Sequence, residues 1–421
     1  MYNKNIIAII IATIGTLLEW AEYTFYGYLA FKISGLFFPE GNDVINLLKT
    51  YGIFAAGYIM RPLGAVLFGY IGDCFGRKSA LMGAIFLMGL STLGIGCLPI
   101  YTSIGICAPI GLLLLRLLQG LAISGEYNGA GIFLIEQVGT HRPCFAGSFI
   151  SAGAAGGMAL GGLAAYLVSL PGAPDWAWRV PFMLGGVSCI LGCFARHYIQ
   201  DQPQYLKSKI TEKIGQYPLV AVLKNHSSSF LKIFIIAAFV SVFAYIGNIY
   251  IVTFLKDMVG LPPHHAMFFA MAAEICAALL IPFMGYIADH HKKPAAQFKA
   301  GLGFAIISAP LMFYLAYTGN YIYISLAMLL FGISNAIVSG PTVKLLNDQF
   351  PVALRYTGIS VAWNLSVAIF GGTSPMIAHV LVNSVAWWGP SIYISIMAFI
   401  VLAFLVIFRF QVAPPIFQKA Y

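Results

Sequence analysis

The segment Gly69-Tyr-Ile-Gly-Asp-Cys-Phe-Gly-Arg-Lys78 closes one long apolar run, and Gly285-Tyr-Ile-Ala-Asp-His-His-Lys-Lys293 closes another. Both copies read Gly-Tyr-Ile-x-Asp and then turn basic. In the first, Gly69 and Gly72 allow helices to approach closely, and Asp73 ends the helix. Gly76 permits a tight turn, and Arg77 and Lys78 follow as cations. One copy arises easily by chance. Two copies at matching places in the two halves of a chain mark an internal duplication.

The runs around these segments set the solvent. Of 421 residues, 60% are hydrophobic and 9% charged, against about 25% charged in a soluble domain. A surface so poor in charge faces lipid. The bilayer core of ~30 Å takes about 20 apolar residues as a helix, and a spanning segment must satisfy its own backbone. The runs lack the alternation of barrel strands, so the expected fold class is an all-α polytopic membrane protein with twelve helices in two pseudo-symmetric six-helix bundles. Spans are expected over residues 6–31, 49–72, 79–98, 105–136, 144–170 and 179–199, and then 230–256, 265–288, 299–318, 321–345, 356–382 and 390–411. The domains divide as 1–199, a cytoplasmic linker 200–229, and 230–421. The linker is the longest hydrophilic stretch and carries Lys207, Lys209, Glu212, Lys213 and Lys224.

The net charge of +9 reflects topology and not nucleic acid. With the N-terminus cytoplasmic, 17 of the 23 Lys and Arg residues fall inside; Lys32, Lys49, Arg179 and Lys256 fall outside. This bias places both termini in the cytoplasm, in a multi-pass protein of a bacterial inner membrane. Glu19 interrupts the first apolar run and no small-residue cleavage site follows, so the run reads as a retained helix. The seven cysteines are scattered, and the four-residue spacing of Cys189 and Cys193 reads as small apolar filler. No nucleophile–base constellation, phosphate-binding loop or metal-ligand cluster stands out, and His141, His264, His265 and His379 are dispersed. No enzyme activity, metal or cofactor is expected.

Several segments resemble the major facilitator superfamily, and its metabolite:proton symporter family in particular. They are Gly15-Thr-Leu-Leu-Glu19-Trp20-Ala21-Glu22-Tyr-Thr-Phe-Tyr-Gly27, Arg61-Pro-Leu-Gly-Ala65 running into 69–78, and Arg116-Leu-Leu-Gln119-Gly120 with Ser124-Gly125-Glu126. Phe350-Pro351, Arg355-Tyr-Thr-Gly-Ile-Ser360 and Gly371-Gly372-Thr-Ser-Pro375 complete them. The resemblance implies uptake of proline, betaine-type osmolytes or organic acids driven by proton entry. It also implies that the first and fourth helices line a central cavity. The chain departs from the family pattern at Ala21 and Glu22, beside the implied site, and at Cys74 and His290-His291, in the turns.

Ionisable residues inside a span cost roughly 2.5–3.5 kcal/mol on insertion scales and are functional by default. Glu19 and Glu22 share a face of the first helix. At the helical rise Glu22 lies ~24 Å from the cytoplasmic end and Arg116 ~17 Å from the outer one, at similar depth. A Glu22–Arg116 pair that changes with protonation is therefore expected; the alternative is a permanent structural pair. Glu19 has two readings, as the coupling residue or as the partner of a substrate ammonium. Arg61 meets a substrate carboxylate or pairs with Glu19, and Gln119, one turn from Arg116, bonds substrate or its neighbours. Asp73, Gly76, Arg77, Glu126 and Asp289 read as gating or structural, with Glu136 joining the charge network of Asp73, Arg77 and Glu126. Glu274 is isolated, either a second protonatable site or a group facing a polar neighbour.

In the second half, Tyr245, Asn248, Asn335, Trp363 and Asn364 are candidate substrate contacts, since aromatics box quaternary ammonium groups. The Gly156-Gly157-x-x-x-Gly161-Gly162 run is a close-packing surface. The expected function is proton-coupled import of a small organic acid or zwitterion by alternating access. The alternative is proton-driven export of a drug-like or siderophore-like compound, with a non-transporting receptor or a membrane enzyme behind it. The expected partners are a small-molecule substrate and membrane lipids, with the proton as coupling ion and a monomer as the functional unit.

Overall fold

A computed structural model of the protein describes residues 2–39, 43–138, 142–170, 172–196 and 218–408. Among these residues every regular element is helical. Ten helices are long and apolar enough to cross a membrane; Tyr2–Tyr28 and the shorter Arg179–Arg196 bring the spans to twelve. The second to sixth spans are Asp43–Cys74, Arg77–Cys97, Cys107–Val138, Pro143–Val168 and Arg179–Arg196. The seventh to tenth are Ser227–Asp257, Pro263–His291, Pro294–Tyr317 and Tyr321–Asn347. Val352–Val382 and Gly389–Ile407 are the eleventh and twelfth. The chain is thus a multi-pass membrane protein, and its outer surface is apolar: Leu279 is 74% exposed and Ile407 72%, a surface suited to lipid.

Three features differ from the sequence reading. A separate helix, Ala30–Phe37, follows the first span. The expected linker is helical over Pro218–Asn225, with Pro218 and Val222 buried; Lys207, Lys209, Glu212 and Lys213 lie outside the described residues. The seventh and eleventh spans each contain a π-helical turn, at Tyr245–Tyr250 and Val367–Gly371. Such turns insert one residue into the helical ladder and are frequent at functional sites.

Close approach of backbones sets the packing of the first bundle. A Cβ on Gly120 would fall 1.9 Å from the carbonyl oxygen of Gly57, so the second and fourth spans touch main chain to main chain. The glycine run of the fifth span splits by face: Gly157 and Gly161 lie against Leu17, Trp20, Ala21 and Thr24 of the first span, whereas Gly162 meets Met271 of the eighth. One small-residue surface thereby seats two partners, one from each half.

The duplicated motif explains how the halves meet at one end of the bundle. The helix ends at Cys74, Gly76 turns at φ 112°, and the third span starts at Arg77. At the second copy the left-handed position is taken by Lys292, at φ 53°. Asp73 accepts from the backbone N–H of Thr357 at 2.9 Å and from its hydroxyl at 2.6 Å. Asp289 accepts from the N–H groups of Cys144 and Phe145 at 3.0 and 2.8 Å. Each aspartate therefore caps the first turn of a helix belonging to the other half, where N–H groups lack intrahelical partners and the helix dipole favours an anion. Glu136 joins this end through an ion pair to Arg355 at 3.0 Å, and Tyr356 donates to the carbonyl of Gly125 at 2.6 Å. The side chains of Arg77 and Glu126 lie outside the described residues, so the network expected among Asp73, Arg77, Glu126 and Glu136 is described here only through the Asp73 and Glu136 contacts.

The glycine contact yields a prediction. Gly120→Val should lower stability by about 1–3 kcal/mol or more, as overpacking does, and appear as a lower melting temperature of the purified protein. Gly35→Ala, with open space around its Cβ, should leave melting within error of wild type.

Candidate functional site: an aromatic cavity between the halves

A cavity of ≈ 70 Å³ lies where the two halves meet. The first span contributes Trp20, Tyr23 and Tyr28, the second Phe54, the fourth Tyr127, the seventh Tyr245 and the eleventh Trp363. Thr24, Ser151, Asn335 and Ser339 add polar groups, and no charged side chain lines it. Tyr127 stacks on Trp363 with ring centroids 5.7 Å apart, and Trp20 meets Tyr127 edge-on at 6.0 Å. The stack is contributed from both halves. At about 30 Å³ per water the space holds roughly two waters, well below the ~300 Å³ of small-molecule sites. The arrangement is contracted around its centre.

Arg61 sits beside this cavity, 1% exposed. Its Nε donates to Asn364 Oδ1 at 3.1 Å, and Nη1 donates to the Tyr245 hydroxyl at 3.5 Å. The rings of Tyr58 and Tyr23 lie 5.5 and 5.8 Å from the guanidinium carbon. Asn364 in turn donates to the carbonyls of Ser124 and Ser360. A second-span cation is thus tied to the seventh and eleventh spans. Glu19 is buried within electrostatic range of Arg61 and Tyr127.

Glu22 and Arg116 occupy similar depths but do not form a direct ion pair. The guanidinium of Arg116 is enclosed by the rings of Tyr26, Tyr23 and Phe54, at 4.3, 4.8 and 5.1 Å. Its Nη1 donates to Gln119 Oε1 at 2.7 Å, and Gln119 Nε2 donates to the Thr92 hydroxyl at 2.7 Å. The Glu22 carboxyl lies against Thr92 and the Cys189 thiol, with Gly185 leaving room beside it. Glu22 therefore points into the first bundle, toward the third and sixth spans. Helical rise gives depth correctly, but rotation about the helix axis turns Glu22 away from Arg116. A polar row replaces the expected contact: Thr92 stands between the Glu22 carboxyl, whose oxygens have no hydrogen-bond partner, and the bonded pair Gln119 and Arg116.

The other candidates divide. Tyr245, Asn335 and Trp363 line the cavity; Asn335 Oδ1 accepts from Ser339 at 2.9 Å. Arg61, Arg116, Gln119, Asn248 and Asn364 stand outside its lining in this arrangement. Asn248 instead accepts from the Tyr28 hydroxyl at 2.7 Å and donates to Met158 Sδ at 2.9 Å, joining the halves. Trp20, Tyr23, Tyr28, Phe54 and Tyr127 were not singled out as cavity residues from sequence. For Trp20, Tyr23 and Tyr28 the signal was the density of aromatics around Glu19 and Glu22; Phe54 and Tyr127 carried none. Among the described residues no group of three or more His, Cys, Asp or Glu side chains is placed to hold a metal.

Comparison with known proteins agrees with this architecture. The chain is 28% identical over 407 residues to the proline/betaine transporter of Salmonella typhimurium, covering 93% of this chain and 81% of that one. It is 31% identical over 414 residues to the inner membrane metabolite transport protein YhjE of Escherichia coli, covering 94% and 91%. Among solved structures, the proton:xylose symporter XylE superposes with a TM-score of 0.76 at 18% identity, covering 97% of this chain and 96% of that one, a likeness of fold. Residues 24–372 match the Major Facilitator Superfamily. With its twelve spans, its motif-bearing turns and its cavity between two bundles, the chain belongs to the Major Facilitator Superfamily of membrane transporters.

Proposed function

We propose that the protein imports a small zwitterion, of the betaine or proline kind, or an organic acid across a bacterial inner membrane, coupled to proton entry by alternating access. The observation that carries this reading is an uncharged aromatic cavity with a buried guanidinium, Arg61, immediately behind its Tyr23 and Tyr245 walls. Aromatic faces attract a quaternary ammonium without demanding a hydrogen bond from it. A carboxylate on the same molecule finds Arg61 once the rings part, and guanidinium matches carboxylate in a two-point contact. The names of the relatives, a proline/betaine transporter among them, favour this class.

The row of polar side chains from Glu22 to Arg116 supports proton coupling. A change in charge at Glu22 alters what Thr92 and Gln119 offer, and Gln119 holds Arg116 against the rings of Tyr23 and Phe54. Those two rings also line the cavity. The effect of a proton at Glu22 thereby reaches the lining rings through three side chains, Thr92, Gln119 and Arg116, and no direct ion pair. We take the Asp73 end, where Lys and Arg are in excess, as the cytoplasmic one. Its caps then form the inner seal.

Two outcomes test the reading in proteoliposomes with glycine betaine as probe. Trp363→Leu should weaken its binding at least about tenfold, since a desolvated cation–π contact is worth about 2 kcal/mol; unchanged affinity would remove the aromatic box from the account. Glu22→Gln should keep exchange of labelled substrate yet lose accumulation under an imposed pH gradient. Accumulation equal to wild type would show that Glu22 does not carry the proton.

A further inference from the structure

Glu274, in the eighth span, takes no part in the cavity or in the polar row. It is fully buried, and neither carboxyl oxygen has a hydrogen-bond partner. Its titratable neighbour is Tyr28 of the first span, whose hydroxyl donates to Asn248 of the seventh. Among the described residues no cation is paired with it, and in the ninth span Lys299 sits in the first turns, at the Asp289 end. The fifth span, Pro143–Val168, contains no charged residue. In the tenth, Lys344 is engaged with Asp348 at the opposite end. In the seventh, Lys256 pairs with Asp257 in an exposed position, and Lys232 stands near the far terminus. Glu19 and Glu22 of the first span lie one to three turns from Tyr28 and carry carboxyl groups, not cations.

An unpaired charge in such a setting costs several kcal/mol, so the contracted arrangement accommodates the carboxylic acid and opposes its anion. Where water enters between the first and seventh spans, that opposition is relieved. We propose that Glu274 is a second proton-binding site, separate from the first-span carboxylates, and that its protonation governs the Tyr28–Asn248 contact between the halves. With the proton on, Tyr28 keeps its bond to the Asn248 amide oxygen. With the proton off, a carboxylate is the stronger acceptor for the phenolic hydrogen, and the link across the halves is released. The site lies toward the end of the bundle opposite Asp73 and Asp289, so it acts on the gate those two aspartates do not hold. It rests on the transport reading only in what the gate is for; the proton site itself stands or falls independently.

The test separates the two. Infrared difference spectra of the purified protein, recorded across a pH titration, should show a carboxylic-acid carbonyl band that persists to neutral pH and vanishes in Glu274→Gln but not in Glu22→Gln. Spin labels at the outer ends of the first and seventh spans should report pH-dependent separation in wild type and a closed distance at every pH in Glu274→Gln, which mimics the protonated form. Glu274→Asp should restore the pH dependence. No loss of the band in Glu274→Gln, or an unchanged pH response of the distance, would overturn the proposal. Neither readout depends on substrate uptake, so failure of the importer reading would leave both intact.

Discussion

Arg61 is almost wholly buried, and its guanidinium must find every partner inside the protein. It finds them across the division of the chain: Asn364 and Tyr245 from the second half, Tyr23 and Tyr58 from the first. In lipid the cost of leaving such a group unsatisfied is high, so the contact between halves at the centre is enforced by charge rather than by apolar packing alone. The aromatic cavity is a consequence. Rings crowd around the cation, and two of them, Tyr23 and Tyr245, also line the space between the bundles. Any separation of the halves must supply Arg61 with new partners, from water or from a bound carboxylate.

The ends of the bundle repeat this logic with helix termini in place of a guanidinium. Asp73 and Asp289 each satisfy backbone N–H groups that only the opposite half provides. The two contacts are related by the internal duplication, so breaking one without the other would leave a buried N-terminus uncapped. That coupling favours a joint opening of the end. At the other end neutral bonds of Asn248, to Tyr28 and to Met158, join the halves beside an uncompensated carboxyl. The two ends therefore differ in what holds them.

Much of the fold was legible in the chain. Apolar runs of helical length gave the twelve spans to within a few residues, and the duplicated turn foretold matching halves. The turn residues behaved as their chemistry dictates, with Gly76 in a conformation that side chains rarely adopt. The candidate site was legible only in part. Intramembrane charge marked Glu22, Arg61 and Arg116 as buried, and helical rise gave their depth. Which way each side chain faces depends on helix rotation within the bundle, and uniformly apolar spans carry little periodic signal to fix it. Hence Glu22 turned toward Thr92 and Cys189, and the π-helical turns that reorient Tyr245 and Asn248 had no sequence mark. The aromatic walls were hidden for a simpler reason: with aromatics at 14% of residues, seven lining rings do not stand out from those that pack.

If contraction around the aromatic cavity is one state of a two-ended transporter, opening at one end must accompany closure at the other. Paired distance measurements in liposomes address it directly, with spin labels across the Asp73–Thr357 end and across the Tyr28–Asn248 end. On adding glycine betaine with a pH gradient, the account predicts reciprocal change: the separation at one end grows as that at the other shrinks. Distances that stay fixed at both ends, or lengthen together, would contradict it.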